Sequence, residues 1–218
     1  MRRIGSLEIA VFLGLLALIL LLGIGGASLL GTLPLGQWRA ISLLAAAIVL
    51  TYLSAFIIYR LALRAWPLAE GSAAPGSRAA FAANLNMLFY LLLFNSLIRT
   101  HFLPLPLLRL VYLALGARLG ENTYSAGALL DPPFTTIGSN TIVGHDAVVF
   151  AHVIEGERLE LQRVWIGSGV TIGAHAVIMA GTRIGDGAII SVGAVLTKGT
   201  VVGPGEVWGG VPARRLKG

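Results

Sequence analysis

Residues 137–201 read IGSNTIVGHDAVVFAHVIEGERLELQRVWIGSGVTIGAHAVIMAGTRIGDGAIISVGAVLTKGTV. An aliphatic residue returns every six positions and a glycine usually follows it: Ile137-Gly138, Val143-Gly144 and Val149, then Ile166-Gly167, Ile172-Gly173, Ile178, Ile184-Gly185, Ile190 and Leu196. Four residues after each comes a small or β-branched one, from Thr141 and Ala147 through to Ala194 and Thr200. One such unit cannot bury its own apolar face, whereas stacked units can, so a strict short period specifies a solenoid, here a parallel β-helix. Three six-residue units close a triangular coil of about eighteen residues. With a less regular start at Leu119-Gly120, Ser125 and Asp131, the series makes about four coils.

The position three after each aliphatic one holds Asn122, Asn140, Asp146, His152, Gly169, His175, Gly181, Gly187, Gly193 and Gly199. These types tolerate positive φ best and mark the turn corners. The register breaks once, where Glu155 to Trp165 is inserted, so a loop leaves the coil there. Loops on a rigid scaffold concentrate binding and catalysis, and His152 stands just before this one. A neutral imidazole, with an unperturbed pKa near 6.5, can take a proton from an attacking hydroxyl or amine. The bland alternative is a plain turn corner, the role expected for His175. Glu155 and Glu157 are both placed to orient the ring by accepting its other proton.

Ahead of the coil the chain is too apolar for an ordinary soluble protein, 56% hydrophobic and 12% charged overall. Ile9 to Leu30 runs without a charge, long enough at 1.5 Å per residue to cross roughly 30 Å of hydrocarbon. A cleaved signal has a shorter apolar core. Ala40 to Tyr59 is a second uncharged span, joined to the first by a connection with Pro34 and Gly36, so residues 1–66 read as a transmembrane helical hairpin. Arg2, Arg3, Arg60 and Arg64 outnumber Arg39 in the connection, which places both ends in the cytoplasm. Residues 67–116 hold a Glu70–Ser77 linker, flexible or locally extended, and two further apolar segments. Phe81 to Ile98 carries Asn84, Asn86, Asn95 and Ser96, amides and a hydroxyl costly in hydrocarbon unless paired. It reads as interfacial or re-entrant rather than as a third span. Phe102 to Leu115, with Arg109 and next to His101, reads as a helix lying on the membrane. Residues 117–218 form the coil. With no cysteine there is no thiolate nucleophile and no thiolate metal site. The net charge of +6 comes with no nucleic-acid motif, and a membrane surface and a phosphorylated cofactor suit it better.

Over residues 119 to 217 the sequence resembles the hexapeptide-repeat acyltransferases. The pieces that carry the resemblance are Val164-Trp165-Ile166-Gly167-Ser168, Thr197-Lys198 and Gly210-Val211-Pro212-Ala213-Arg214. The resemblance implies a left-handed coil, a homotrimer and transfer of an acetyl or other short acyl group from coenzyme A, without a metal. It also implies that His152 is the general base and that Ser168, Val192, Thr197, Lys198 and Arg214 contact the donor, with Lys198 and Arg214 offsetting phosphate charge. Gly181, one coil above His152, leaves room for the thioester arm, and Trp208 packs against the donor or caps the last coil. The membrane hairpin replaces the soluble segment that binds acceptors in sugar acetyltransferases of this fold. The expected acceptor is therefore a membrane lipid or lipid-linked glycan, met at the cytoplasmic face of the inner membrane. The rivals are a non-catalytic trimeric membrane scaffold and a γ-carbonic-anhydrase-like zinc enzyme; the latter needs histidines where Ala174 and Met179 stand.

Overall fold

The computed structural model describes residues 4–34, 36–100 and 102–218. Arg2 and Arg3, two of the charges on which the expected orientation rests, and His101 lie outside the described residues. Two compact units make up the chain: residues 3–68 with 78–93, and residues 69–77 with 94–218.

In the first unit, α1 (Ser6–Leu30) and α2 (Arg39–Ala65) run antiparallel, joined through a 3₁₀ turn at Gly36–Trp38. α2 is longer than the uncharged span alone, since Arg60 and Arg64 prolong it. A Cβ on Gly23 would come within 2.7 Å of Thr51 Cα, so this glycine lets the two backbones approach. On α2 the buried residues are Ala55, Ile58, Tyr59 and Ala62, the i, i+3, i+4, i+7 stripe of one helix face. α3 (Arg78–Phe89) packs into the hairpin and runs alongside α1 in the same direction, with Asn84 Nδ2 donating to Glu8 Oε1 at 3.0 Å and Phe89 edge-on to Phe12 at 5.3 Å. Tyr59 Oη donates to Asn86 Oδ1 at 2.7 Å. Two of the amides that weigh against hydrocarbon are thus satisfied within the unit. By length and composition three segments could cross a membrane: Ser6–Leu30, Gly36–Ala65 and Arg78–Arg99. The last contains α3, a π turn at Tyr90–Phe94 and α4 (Asn95–Arg99).

The second unit is the parallel β-helix. Its strands stack into three sheets, begun by Arg118–Leu119, Tyr124–Ser125 and Ala128–Leu129. Ile166 is in register with Ile184, eighteen residues on, but with Ile137 twenty-nine residues back; the difference, 29 − 18 = 11, is the insertion. Four coils contribute a strand to every sheet, and a fifth begins at Val201–Val202. The aliphatic series from Ile137 to Leu196 is buried in the stack, continued by Val202. Each such side chain contributes about 1.5–3 kcal/mol by leaving water. Buried threonines pair with backbone carbonyls instead of water: Thr141 Oγ1 donates to Gly167 O at 2.9 Å and Thr182 Oγ1 to Met179 O at 2.6 Å. Below the first coil lies α5 (Leu105–Leu115), whose buried face holds Leu108, Val111, Tyr112 and Leu115; Tyr112 Oη donates to Gly127 O at 2.8 Å. Its other face leaves Leu107, Leu110 and Leu113 exposed.

The insertion is not a free loop. His152–Glu155 and Arg158–Leu161 form an antiparallel hairpin turning at Gly156, and the linker strand Gly71–Ala73 adds to its second arm. The linker is therefore locally extended and hydrogen-bonded. Its edge pairing uses backbone groups that a flexible linker would leave to water.

Candidate active site

Nine of the ten corner positions named from the sequence have positive φ, from Asn122 at 51° to Gly181 at 75°. The exception is His152, which opens the hairpin in extended conformation. His175 has φ 57° and is a corner, so the two histidines of equivalent phase do different things.

Being extended, His152 turns its ring toward Asp131. Its Nδ1 lies 2.7 Å from Asp131 Oδ2, and the same oxygen accepts the backbone N–H groups of Ala151 at 2.8 Å and His152 at 3.1 Å. A carboxylate only accepts, so the proton on Nδ1 faces Asp131 and Nε2 keeps its lone pair. Asp131 is buried, while the His152 side chain is 29% exposed. Burial pushes the imidazole pKa down, but the hydrogen bond and charge of Asp131 together outweigh it, and the net direction is up from 6.5. Phe150 lines the ring at 5.6 Å between centroids.

The position beside Nδ1 expected for Glu155 or Glu157 is therefore held by Asp131. Glu155 pairs across the hairpin with Arg158 and lies 3.9 Å from Lys198 Nζ, and Glu157 is exposed in the turn. The hairpin carries both away from the ring. Asp131 does have a signal in the sequence: it is an acidic residue in the aliphatic phase of the hexad series, eighteen before Val149, where an unpaired carboxylate could not be buried.

The expected donor contacts divide among the three corners of the coil. His152, Gly181, Thr197 and Lys198 share the corner between the sheet of Val177–Ile178 and that of Arg183–Ile184. Ser168 sits at the next corner, where its Oγ accepts Ser139 N–H at 3.1 Å and its own N–H donates to Asp186 Oδ1 at 2.7 Å. Val192 occupies the third and is 71% exposed. The space at Gly181 is taken: a Cβ there would collide with Gln162 Oε1, because Gln162 N–H bonds to Ala151 O and Gln162 O faces Gly181 N–H. Lys198 Nζ lies 3.6 Å from Glu160 Oε2, and Glu160, whose other oxygen accepts Gln162 Nε2 at 2.6 Å, has its pKa held down by that bond and by the charges of Lys198 and Arg158. The Trp208 indole is hydrogen-bonded within the last turn of the coil. Its Nε1 donates to Glu206 Oε2 at 2.8 Å, which also accepts Gly203 N–H, and Glu206 Oε1 takes Arg215 at 3.0 Å. Arg214 is exposed on the final strand, Ala213–Lys217. Among the described residues no three His, Cys, Asp or Glu side chains come together as a metal site.

Residues 163–198 match the family described as bacterial transferase hexapeptide (six repeats). Among solved structures, a galactoside acetyltransferase in complex with coenzyme A is similar over 73% of this chain and 90% of its own, with 21% identity and a TM-score of 0.50. A hexapeptide-repeat acetyltransferase of Vibrio cholerae, solved with acetyl coenzyme A, is 26% identical over 47% of this chain and 60% of its own, with a TM-score of 0.43. Serine acetyltransferase of Vibrio cholerae is 19% identical over 77% of this chain and 54% of its own, at 0.41. No curated protein sequence matches. The repeat segment, the stacked eighteen-residue coils and the fold shared with the galactoside enzyme make this chain a hexapeptide-repeat β-helix protein.

Proposed function

We propose that this protein is a membrane-anchored acyltransferase that moves an acetyl or other short acyl group from coenzyme A to a hydroxyl or amine of a membrane-associated acceptor. The observation that carries the reading is the 2.7 Å bond from His152 Nδ1 to Asp131 Oδ2. Asp131 fixes the tautomer and ring plane, so that Nε2 is the atom that takes the acceptor's proton as the acceptor attacks the thioester carbonyl. The proton returns from the imidazolium, stabilised by Asp131, to the departing thiolate. Lys198 and Arg214 supply positive charge toward the donor phosphates. Coenzyme A brings the activated acyl group, and every other contribution is one of positioning and proton transfer.

The β-helix and the N-terminus lie on one side of the membrane, the cytoplasmic one. Support comes from connectivity. The strand Gly71–Ala73, just before α3, is hydrogen-bonded to Leu159–Leu161, and the chain after α3 returns to the same unit through α4 and α5. A segment whose two ends belong to one folded unit cannot cross the bilayer once. Arg78–Arg99 is therefore re-entrant, and α1 and α2 are the two spans. Arg60 and Arg64 beside the end of α2 set the side. The exposed leucines of α5, with Leu110 59% exposed, suit a surface in contact with lipid.

The active form is a homotrimer. Ile142 and Ile189, outward on one sheet and 59% and 45% exposed, stand in one line with Thr171 between them and Val207 beyond, a largely apolar face suited to a neighbouring copy. The test is acetyl coenzyme A turnover, read as thiol release, by the purified full chain with detergent-solubilised total membrane lipid. Lipid-dependent release by the wild type that is lost in His152→Ala supports the reading, and equal release by both refutes it.

A further inference from the structure

Resting on the function proposed above, we infer that Glu70 and Arg163 are positioning residues for the His152–Asp131 pair, so that the peptide leaving the membrane hairpin is the strap that holds the base.

Two connections meet at Glu70. Its Oε1 accepts the backbone N–H of Arg163 at 3.1 Å, and its Oε2 lies 3.8 Å from Arg163 Nε. From there the Arg163 guanidinium donates to Pro133 O at 3.4 Å and lies over the Phe134 ring at 4.7 Å. Pro132–Phe134 is the 3₁₀ turn that Asp131 begins: Phe134 N–H and Thr135 Oγ1 both bond to Asp131 O at 3.0 Å. Arg163 therefore clamps the turn that aims the carboxylate. The second connection starts one residue after Glu70. Gly71 is in register with Leu161, and Leu161 with His152, so the linker strand, the hairpin arm and the imidazole residue lie on one line across the sheet. One strap thus braces both partners of a 2.7 Å contact, Asp131 through Arg163 and His152 through the strand.

The energetics separate this role from ordinary stabilisation. The Glu70 and Arg163 side chains are 55% and 32% exposed, and such an ion pair adds little to stability. A proton-transfer geometry is far less tolerant, since a displacement of about 1 Å can cost on the order of 10²-fold in rate. The strap also ties the site to the membrane, because only six residues, counted inclusively from Trp66, lead from the end of α2 to Gly71. At roughly 3.4 Å per residue this tether can reach at most about 20 Å, which suits an acceptor whose reacting group stays near the bilayer surface.

The test compares Glu70→Ala, Glu70→Gln and Arg163→Met in the full chain, reading the melting temperature, acetyl coenzyme A affinity, kcat, and the His152 titration by NMR of ¹³C-histidine, assigned with His152→Gln. The hydrogen bond from the ring to Asp131 helps hold the His152 pKa up, so loosening it moves that pKa down. The expected result for Glu70→Ala and Arg163→Met is a near-native melting temperature, affinity within about threefold, kcat lower by about tenfold or more, and a lowered His152 pKa. Glu70→Gln keeps an oxygen for the Arg163 N–H and should fall between wild type and Glu70→Ala. The titration is independent of turnover: a shifted pKa in a protein that transfers no acyl group would sink the enzyme reading and leave the strap standing. An unshifted titration together with wild-type kcat in Glu70→Ala would overturn the strap.

Discussion

Asp131 and His152, twenty-one residues apart, are joined by one carboxylate oxygen that accepts three hydrogen bonds: from the ring Nδ1 of His152 and from the two N–H groups where the hairpin departs, Ala151 and His152. The oxygen thus fixes the ring and the strand that carries it.

Asp131→Asn tests that arrangement. The amide can no longer offer a charged acceptor, so the influence that raises the His152 pKa is lost while the opposing burial remains. As the proposed general base His152 works when neutral, so in the wild type kcat/KM should rise with pH through a value above 6.5. In Asp131→Asn that limb should move to lower pH while the plateau falls, by about 10²-fold or more. A limb that stays in place would show that Asp131 does not set the titration.

Single cysteines in this cysteine-free chain test the topology. A membrane-impermeant thiol reagent applied to intact cells should modify Gln37→Cys, in the connection between α1 and α2, and leave Ala74→Cys and Lys217→Cys unmodified until the cells are opened. Labelling of Lys217→Cys but not Ala74→Cys from outside would make Arg78–Arg99 a third span.

The coil was legible because its information is local. Each hexad carries its own aliphatic plug, its small residue and its corner, and Ile137 to Leu196 stack as their spacing requires. The acid partner of His152 was harder to read, because Asp131 meets His152 only after one coil is laid on another. Nearby Glu155 and Glu157 were the natural choices, and the antiparallel hairpin takes them elsewhere. His152 and His175 share a phase and differ in φ because a strand starts at one and a corner at the other. The pairing of Glu70 with Arg163 spans 93 residues and no periodicity announces it.

The core makes its own prediction. Ile178 is fully buried between Val149 and Leu196, and Ile178→Ala should cost about 2–5 kcal/mol. For a chain of this size that lowers the melting temperature by roughly 2–4 °C per kcal/mol. Arg183→Ala, exposed on the outer face of a different sheet, should leave it near the wild-type value, as circular dichroism of the full chain in detergent can check.

Lys198 stands between Glu155 and Glu160 at the His152 corner. On the donor site proposed above, Lys198→Glu takes a cation from the phosphates, and it sets a third carboxylate beside two. Calorimetric titration should show acetyl coenzyme A binding weakened by about tenfold or more. Turnover at saturating donor should fall less than affinity does. Unchanged affinity would remove Lys198 from the donor site.

The most direct test of His152 as the general base measures two quantities on one protein. Calorimetric titration of purified His152→Ala with acetyl coenzyme A should give a dissociation constant within a few-fold of wild type, while lipid-dependent thiol release from the same preparation falls by about 10² to 10⁴. Wild-type release from His152→Ala would contradict the assignment.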